Sequence, residues 1–471
     1  MQQGQIVKAK IETLAAGGQG IARIDGMTVF VDNGVPGDEL EIRIAEAKSH
    51  YCRAKIHKIL TASPSRVQPP CKYFEKCGAC DMQHIEYSAQ LKLKEQIVKD
   101  TMKKIGGISP EVVRPVVGME DPWGYRNKVQ YPVRKILNPK SKILNKSQIT
   151  NSKQLMVAMG YFKKGTHEIV DIDNCLVLHP FLNKISNAVK KLISDFNIPV
   201  YDEDRGSGLI RHVLARVGFT SKEAILCLVA KEINIPGSRN LVSALTKSIE
   251  QEEKEFGLKG VVVNENRRST NVILGEKTKP LWGQEKIKEK LGPLEFKISA
   301  KSFFQINPVQ TLKLYSVVED FASLSGKEAV LDLYCGTGSI SLWLAKKAKE
   351  VWGVEENNYA IDDAKENAGV NGIKNAFFKC GTSEVIIRQF LDTDAKFDVV
   401  VLDPPRSGCS QGVIGSVIKL KPSRIIYVSC DPATLARDLK LFSGKYKTVK
   451  IQPVDMFPHT AHIECVAHLS R

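Results

Sequence analysis

The sequence lacks any run of about 18 or more consecutive apolar residues, and no apolar segment follows a basic start at its amino terminus. These absences argue against a membrane-spanning helix and against a secretory signal peptide. We therefore expect a soluble, cytoplasmic protein with no membrane partner, and we expect it to be a monomer. No internal repeats occur either, which argues against solenoid and propeller architectures.

Acidic residues are fewer than basic ones. The 471-residue chain has 52 of them against 68 lysines and arginines, giving a net charge of +16, which favours a polyanionic partner. The length predicts about two to four domains, and 43% hydrophobic residues are enough to build their cores. Eleven cysteines in a cytoplasmic chain indicate metal binding or catalysis rather than disulfides.

Residues 1–62 consist of short alternating runs separated by glycine-rich corners. The pattern predicts five strands in a small barrel of the OB type, near 4–14, 20–24, 26–32, 38–46 and 51–60. A basic face for nucleic acid is available from Lys8, Lys10, Arg43, Lys48, Arg53 and Lys55. The segment resembles the TRAM domain of RNA-modifying enzymes, chiefly at Gly17, Gly18, Gly20 and Gly37. A purely structural barrel with solvated lysines is the alternative.

A proline- and serine-rich linker leads into Cys71, Cys77 and Cys80, in a segment rich in turn-forming residues. Zinc sites usually draw their ligands from two close pairs, whereas this spacing offers one close pair and an outlier. An iron–sulfur cluster accepts that asymmetry when a distant cysteine completes four thiolates, and Cys175 is the best candidate. We favour the cluster over zinc and over a site without metal.

The next segment, residues 87–105, has amphipathic spacing that predicts a lysine-rich helix. We expect this helix to pack on the carboxyl-terminal domain described below.

Residues 123–129 start a strand with paired aromatic and basic side chains suited to binding RNA. Residues 135–153 are rich in Lys, Asn and Ser, which is typical of a basic loop or of a merely solvated insert.

Strands and helices alternate from about residue 159 to 295, and this predicts an α+β central domain. Its predicted helices lie near 180–196 and 237–251, and its strands near 210–218, 223–231, 259–264 and 271–275. Regular β–α alternation follows, with strands near 329–334, 350–355, 375–379, 397–403, 423–429, 446–453 and 464–470. This order predicts a doubly wound, Rossmann-like sheet. The predicted domains are therefore 1–62, 63–295 and 296–471.

The first strand of that sheet runs into a turn containing Gly336 and Gly338, where the missing β-carbons let a ligand approach the backbone. Glu355 ends the second strand and is placed to accept hydrogen bonds from ribose hydroxyls. A dinucleotide site is compatible with this pattern, but the third glycine of that motif is absent. With Asp403 two strands later, the set resembles a class I S-adenosylmethionine-dependent methyltransferase. A generic Rossmann-like core is the alternative.

Cys430 follows an apolar strand and precedes Asp431-Pro432, which starts a helix. We expect the thiol to sit at a strand-to-helix corner, at the sheet edge where ligands bind. The positive end of the helix should bias it toward thiolate. A small buried core residue is the alternative reading, and Cys335, in the glycine turn, is the rival nucleophile.

Four motifs at this domain, Phe303 to Pro308, Asp403 to Arg406, Tyr427 to Pro432 and Met456 to Glu464, closely resemble those of RNA uracil-5-methyltransferases, in particular the bacterial 23S ribosomal RNA enzymes. The resemblance covers essentially the whole chain. It implies a TRAM domain, an iron–sulfur central domain and a class I methyltransferase domain. It makes Cys430 the nucleophile and Glu464 the base. The implied cofactor pocket is lined by Gln305, Tyr334, Gly336, Gly338, Ser339, Glu355 and Asp403, and the implied [4Fe-4S] cluster is held by Cys71, Cys77, Cys80 and Cys175. Ser339 stands where relatives often have asparagine, which weakens that one assignment.

The chemistry explains these residue types. C5 of uracil is too weak a nucleophile to attack a sulfonium methyl group unless a thiolate first adds at C6. The C5 proton must then leave so that the thiolate can be eliminated, and a carboxylate such as Glu464 suits that step. Because stacking hides C6, the target uridine should be flipped out of a loop or single-stranded region. His459 and His462 are candidates for proton relays or for packing and loop capping.

The leading hypothesis is therefore methylation of a uridine in 23S ribosomal RNA to 5-methyluridine. A transfer RNA enzyme of the same chemistry is the nearest rival, disfavoured because simpler transfer RNA relatives usually lack the barrel and the cysteine motif. A cytosine-5 enzyme is less favoured, since Pro405 and Arg406 follow Pro404 where those enzymes place a cysteine. Methylation of an amino group, which needs no cysteine, and a non-catalytic iron–sulfur RNA-binding factor are the remaining hypotheses.

Overall fold

The computed structural model describes residues 1–137 and 155–471. The chain divides into two compact units: a first unit of residues 1–74, 80–122 and 309–471, and a central unit of residues 75–79 and 123–308. The basic insert predicted at 135–153 lies outside the described residues from position 138 onward. Within the described ranges, no helix is both long enough and apolar enough to cross a bilayer. The three domain boundaries derived from the sequence stay a prediction.

The first unit begins with a six-stranded barrel. Its strands are β1 (Ile6–Lys10), β2 (Thr13–Leu14), β3 (Gly20–Ile24), β4 (Met27–Asp32), β5 (Glu39–Ala47) and β6 (Tyr51–Thr61). The strand order is β1-β5-β6-β4-β3-β2, so the two edge strands follow one another directly along the chain. The strand predicted at 4–14 is broken, because the backbone N–H of Ile11 bonds to Asp38 and that of Glu12 to Ile21.

The predicted lysine-rich helix forms as α1 (Tyr87–Thr101), continues as a π-helical turn over Met102–Gly106, and ends at Gly107 in the left-handed conformation. Val98 and Met102 on this helix are fully buried in the same hydrophobic core as the strands of the carboxyl-terminal sheet. Helix α1 is therefore part of the core of the first unit.

The central unit is a mixed seven-stranded sheet with two helices and a separate hairpin. Its elements are β7 (Lys128–Leu137), β8 (Leu155–Phe162), β9 (Ile169–Asp171), α2 (Pro180–Asp195), β10 (Ile210–Val217), β11 (Glu223–Ala230), α3 (Ser238–Glu252), β12 (Gly257–Glu265), β13 (Lys277–Gly283), β14 (Lys286–Leu291) and β15 (Leu294–Ser299). The sheet order is β13-β12-β11-β10-β7-β8-β9, and β14 pairs with β15. Helices α2 and α3 pack on one another and on the sheet.

The strand predicted at 271–275 is wrong, because this segment is a loop bound by asparagine side chains. The amide of Asn266 donates to the carbonyls of Val272 and Ile273, and the Asn264 side-chain oxygen accepts from the N–H of Gly275. The strand forms further along, as β13. The β14–β15 hairpin was missed from the sequence.

The carboxyl-terminal part of the first unit is a doubly wound sheet, as predicted. Its elements are α4 (Pro308–Ala322), β16 (Ala329–Leu333), α5 (Ser339–Ala345), β17 (Glu350–Glu355), α6 (Asn358–Val370), β18 (Ala376–Cys380), α7 (Ser383–Asp392), β19 (Val399–Leu402), α8 (Gln411–Leu420), β20 (Arg424–Ser429), α9 (Pro432–Phe442), β21 (Lys447–Val454) and β22 (Glu464–Ser470). The strand order is β18-β17-β16-β19-β20-β22-β21, with β18 to β20 parallel and β22 antiparallel to both of its neighbours. Ligands bind such sheets at the carboxyl ends of the parallel strands.

Candidate active site

Cys430 lies at the predicted corner, directly after β20 and before α9. Asp431 is the N-cap of α9, and its Oδ1 accepts from the N–H groups of Ala433 at 2.9 Å and Thr434 at 3.1 Å. A cap of this kind satisfies the donors at the start of a helix. The positive end of α9 is therefore occupied by the Asp431 carboxylate, and Cys430 is half-buried beside it.

The expectation that Cys430 is biased toward thiolate is wrong for this structure. Burial, followed by the negative charges of Glu464 and Asp403, raises the pKa of Cys430 to about 11, against the weaker opposing effect of Arg406. The Arg406 guanidinium is itself 3.3 Å from the Asp431 carboxylate. At neutral pH the group at this corner is the thiol, so a nucleophilic role requires that its proton be removed.

Glu464 is the first residue of β22, the strand paired with β20. Ser429 is in register with Cys465, so the next residues along, Cys430 and Glu464, emerge at the same edge of the sheet. The Glu464 side chain is buried, with 5% of the residue exposed. Burial raises the pKa of Glu464 to about 7, a value suited to a group that exchanges protons near neutrality.

Asp403 completes a cluster of acidic groups around the thiol. It follows β19 and precedes Pro404, at the carboxyl end of the strand next to β20. Burial raises the pKa of Asp403 well above its usual range, and the charges of Glu464 and Asp332 add to this. The structure thus brings together three residues that the sequence had separated by up to 61 positions: Asp403, Cys430 and Glu464.

The predicted glycine turn forms between β16 and α5. The N–H of Gly336 donates to Glu355 Oε2 at 3.2 Å, so the turn and the end of β17 meet as expected. Gly338 has φ +77°, and a Cβ there would lie 3.0 Å from the side chains of Ala364 and Phe378. Tyr334 also adopts the left-handed conformation, with φ +66°. Left-handed backbone at Tyr334, Gly336 and Gly338 thus forms the turn at the edge of the sheet where ligands bind.

Ser339 starts α5, and its hydroxyl is 2.7 Å from the hydroxyl of Tyr315. Ser339 therefore has a hydrogen-bonding partner within the protein itself. Cys335, the rival nucleophile, is buried, and burial, helped by Asp332 and Glu355, raises its pKa well above the usual value. Cys335 therefore has the surroundings of a core residue.

Sequence reasoning missed Asp332 and Ser341. Asp332 lies within β16, is fully buried and accepts a hydrogen bond from the Ser341 hydroxyl. Burial raises the pKa of Asp332 to about 7. The signal was present in the sequence, because a carboxylate inside a run of apolar strand residues is rare unless it has a partner.

In the central unit, the aromatic and basic segment at 123–129 leads into β7. Lys128 is directly opposite Arg216 on β10, and the Arg126 guanidinium lies 5.9 Å from the centre of the Tyr161 ring. Burial, followed by the charges of Arg216 and Arg126, lowers the pKa of Lys128 to about 8. Gln305 belongs to this unit, where its carbonyl accepts from the Asn127 side-chain amide at 3.0 Å.

The four cysteines predicted to hold a cluster are divided by the compact units. Cys71 and Cys80 belong to the first unit, and Cys77 and Cys175 to the central unit. Within the central unit both thiols influence Tyr131: burial raises the pKa of Tyr131, and Tyr161, Cys175 and Cys77 add to the effect. In the part of the chain that the structure describes, no three His, Cys, Asp or Glu residues are arranged to hold a metal ion. All eleven cysteines are described, and none forms a disulfide.

Comparison with known proteins gives two family matches. Residues 246–471 match the family described as tRNA (Uracil-5-)-methyltransferase, and residues 1–57 match the TRAM domain. A Bacillus cereus protein described as an uncharacterized RNA methyltransferase is 39% identical, covering 100% of this chain and 98% of its own length. A Caldanaerobacter subterraneus protein with the same description is 42% identical, covering 99% of this chain and 98% of its own.

Among solved structures, the chain is similar to the Pyrococcus abyssi tRNA (uracil-54, C5)-methyltransferase in complex with S-adenosyl-L-homocysteine. The identity is 28% and the TM-score is 0.74, and the match covers 98% of this chain and 99% of that one. The similarity therefore includes the barrel and the central unit as well as the doubly wound sheet.

Proposed function

Since this chain belongs to the TRAM-containing family of RNA uracil-5-methyltransferases, we propose that it methylates C5 of a specific uridine in 23S ribosomal RNA through a covalent bond between Cys430 and C6. The observation that carries the proposal is the meeting of Cys430 with Glu464 and Asp403 at the ligand-binding edge of the sheet. A nucleophile and a carboxylate with a pKa near neutrality are what this reaction requires.

The proposed cofactor is S-adenosylmethionine, which when bound supplies an electrophilic methyl group on a positively charged sulfur. The glycine turn fits such a ligand, because the space beside Gly336 is open, with nothing within 4 Å of a Cβ placed there, and the Glu355 carboxylate lies at the same turn. The residues proposed to hold it are Gln305, Tyr334, Gly336, Gly338, Ser339, Glu355 and Asp403. The Pyrococcus abyssi relative, which holds S-adenosyl-L-homocysteine, supports this choice.

In the proposed mechanism, the Cys430 thiol releases its proton to solvent and its sulfur forms a bond to C6 of the flipped uracil. Electron density moves to C5, which would take the methyl group while the broken bond would leave its electron pair on the cofactor sulfur. Glu464 in its carboxylate form takes the remaining proton from C5, the C5–C6 double bond returns, and the Cys430–C6 bond breaks. Glu464 must be ionised for the last step, and its pKa of about 7 leaves much of it ionised at neutral pH.

The RNA is proposed to be held by basic groups on both units. The barrel offers lysines and arginines on its strands, and the central unit offers Arg126 and Lys128 at the start of β7. Lys128 lies opposite the buried Arg216; like charges so placed are unfavourable in a sheet, and a phosphate group at Lys128 would offset the repulsion. Phosphate contacts of this kind supply affinity rather than sequence recognition.

Transfer RNA is the second candidate substrate, and one observation favours it. The Pyrococcus abyssi enzyme is named for a transfer RNA uridine, yet it matches this chain over 98% of its residues. A transfer RNA enzyme can thus share the complete architecture, which weakens the argument that the barrel indicates ribosomal RNA. The two substrates are separated by incubating the protein with each purified RNA and mapping 5-methyluridine in the digests.

We also propose that Cys71, Cys77, Cys80 and Cys175 hold a [4Fe-4S] cluster with a structural role. Their spacing and the shared neighbour of Cys77 and Cys175 support it, and the backbone N–H of Cys175 is fixed by Asn183 at 3.0 Å. No step of the methyl transfer uses the cluster. Anaerobic purification followed by iron and sulfide analysis tests the proposal, which predicts about four iron atoms per chain and their loss in Cys175→Ser.

A further inference from the structure

A buried polar network fixes the loop that leads to Glu464. Residues 455–463, termed here the base loop, connect β21 to β22. Val454 before the loop is in register with Glu464 after it, so the two ends of the loop meet at the carboxylate. The start of the base loop therefore follows directly on the residue that pairs with Glu464.

The first part of the network is an ion pair between helix α1 and the base loop. Lys94 Nζ lies 2.6 Å from Asp455 Oδ1, and both side chains are fully buried. The ammonium also donates to the carbonyl of Phe457 at 3.2 Å. The Tyr87 hydroxyl donates to Asp455 Oδ2 at 3.0 Å. One end of the base loop is thus held by directional bonds from two residues of α1.

The second part holds the middle of the loop. The side chain of Gln90, also on α1, bonds twice to His459: its amide nitrogen lies 3.1 Å from Nδ1, and its oxygen accepts from the backbone N–H at 3.1 Å. The His459 carbonyl accepts from the N–H groups of Asp81 at 3.0 Å and Met82 at 2.9 Å. His459 has φ +66°, a conformation that a non-glycine residue keeps only when its surroundings impose it.

Stability alone is a weak account of this arrangement. A buried ion pair loses much of its attraction to desolvation, and well-packed apolar residues often serve folding equally well. Directional bonds instead fix one conformation. His459 cannot serve as a charged relay, because burial and then the charge of Lys94 lower its pKa to about 3; it serves as a fixed point of the loop.

We propose that Lys94 and Gln90 are positioning residues that hold Glu464 against C5 of the substrate, acting through the base loop. This inference rests on the proposed role of Glu464 as the base. It assigns a catalytic consequence to α1, a helix outside the doubly wound sheet, and it concerns one step only. Formation of the Cys430 bond does not need Glu464, whereas removal of the C5 proton and release of the product do.

The test separates these two steps in single-turnover reactions with substrate RNA and S-adenosylmethionine. Covalent protein–RNA complex is followed on denaturing gels, and proton loss is followed as tritium released from RNA labelled at C5 of uracil. For Lys94→Met and Gln90→Leu, we expect the complex to form within about threefold of the wild-type rate and tritium release to slow by at least about tenfold. The covalent complex should therefore accumulate. Lys99→Met, the same change on the same helix, is the control and should alter neither step.

The double variant Lys94→Met/Asp455→Asn removes both charges and so avoids leaving one charge buried alone. It should fold, and it should still accumulate the complex. Unchanged tritium release in the folded variants, or equal slowing of both steps, would overturn the positioning role. Glu464→Gln is measured in parallel: if it fails to accumulate the complex, the assignment of Glu464 as base is what has failed.

Discussion

Two regions of this protein bury ionisable groups of opposite sign, and burial acts on them in opposite directions. At the corner of Cys430 and Glu464, burial raises the pKa values, to about 11 and about 7. At the start of β7, burial lowers the pKa of Lys128 to about 8. In both regions folding disfavours the charged form. At the corner of Cys430 and Glu464, the result is a pair of groups that can exchange protons. At the paired strands β7 and β10, the result is a lysine, Lys128, whose charged form a bound anion would stabilise.

The largest expected effect is at the thiol. Cys430→Ala should abolish methylation, with a loss of more than about 10⁴-fold, because no other group at the corner can bond to C6. Activity is measured as methyl groups transferred to RNA. The control is Cys380→Ala, which removes an exposed cysteine and should retain full activity. Full activity of Cys430→Ala would instead favour methylation of an amino group.

Glu464→Gln should lower product formation by about 10² to 10⁴-fold, while it raises stability at pH 8. The carboxyl has a pKa of about 7 in the folded protein against 4.5 ordinarily. A raised carboxyl pKa favours the unfolded state as pH rises from 4.5 to 7, and above 7 the penalty is on the order of 3 kcal/mol. Glutamine has no such penalty. Denaturant unfolding at pH 4.5 and pH 8 measures the gain, which should appear only at pH 8.

The exposed-surface change Glu250→Gln is the matched control and should leave both the activity and the pH dependence of unfolding unchanged. A Glu464→Gln variant no more stable than the wild type at pH 8 would show that the carboxylate is well solvated or paired.

The pH profile sharpens the contrast further. The Cys430 proton must leave before methyl transfer, so log(kcat/KM) should rise with a slope of about 1 from below pH 7 to about pH 10. The rate of C5 proton loss, measured in single turnovers, should rise with a slope of about 1 below pH 7 and level off above it. The rise in kcat/KM reports Cys430, with a pKa of about 11, and the levelling of proton loss reports Glu464, with a pKa of about 7. A flat profile between pH 7 and 9 would mean that the free protein already holds a thiolate.

The smallest effect is expected at Lys128, where β7 pairs with β10. Lys128→Met should weaken RNA binding by about three- to tenfold and reduce the slope of log affinity against log salt by about 1. Fluorescence anisotropy over a salt series measures both. Lys191→Met, on the exposed side of α2, is the control for nonspecific loss of positive charge. An unchanged salt slope for Lys128→Met would place the RNA elsewhere.

Much of the doubly wound sheet could be predicted from the sequence, because buried parallel strands are continuous apolar runs with sharp ends. The position of Cys430 followed from the same reasoning. Its protonation state did not, since the helix end that should favour a thiolate is capped by Asp431. The signal was present: Asp431 followed by Pro432 is the usual start of a helix, with aspartate as the cap.

The central unit was harder to predict, because side-chain bonds override strand propensity there. Val272 and Ile273 look like strand residues, but Asn266 binds their carbonyls and makes a loop. The network between α1 and the base loop joins residues up to 369 positions apart. Nothing in local spacing announces a contact of that kind. A buried lysine such as Lys94 is recognisable only once the fold has brought Asp455 to it.

A covalent bond from Cys430 to the pyrimidine is the central step of the proposed mechanism, and a trapping experiment tests it. RNA carrying 5-fluorouridine at the target position has no C5 proton to lose, so the methylated complex should persist. After digestion, mass spectrometry should find the nucleotide attached to the peptide that contains Cys430. Attachment to the Cys335 peptide, or a folded and cofactor-bound protein that forms no covalent complex, would contradict the account.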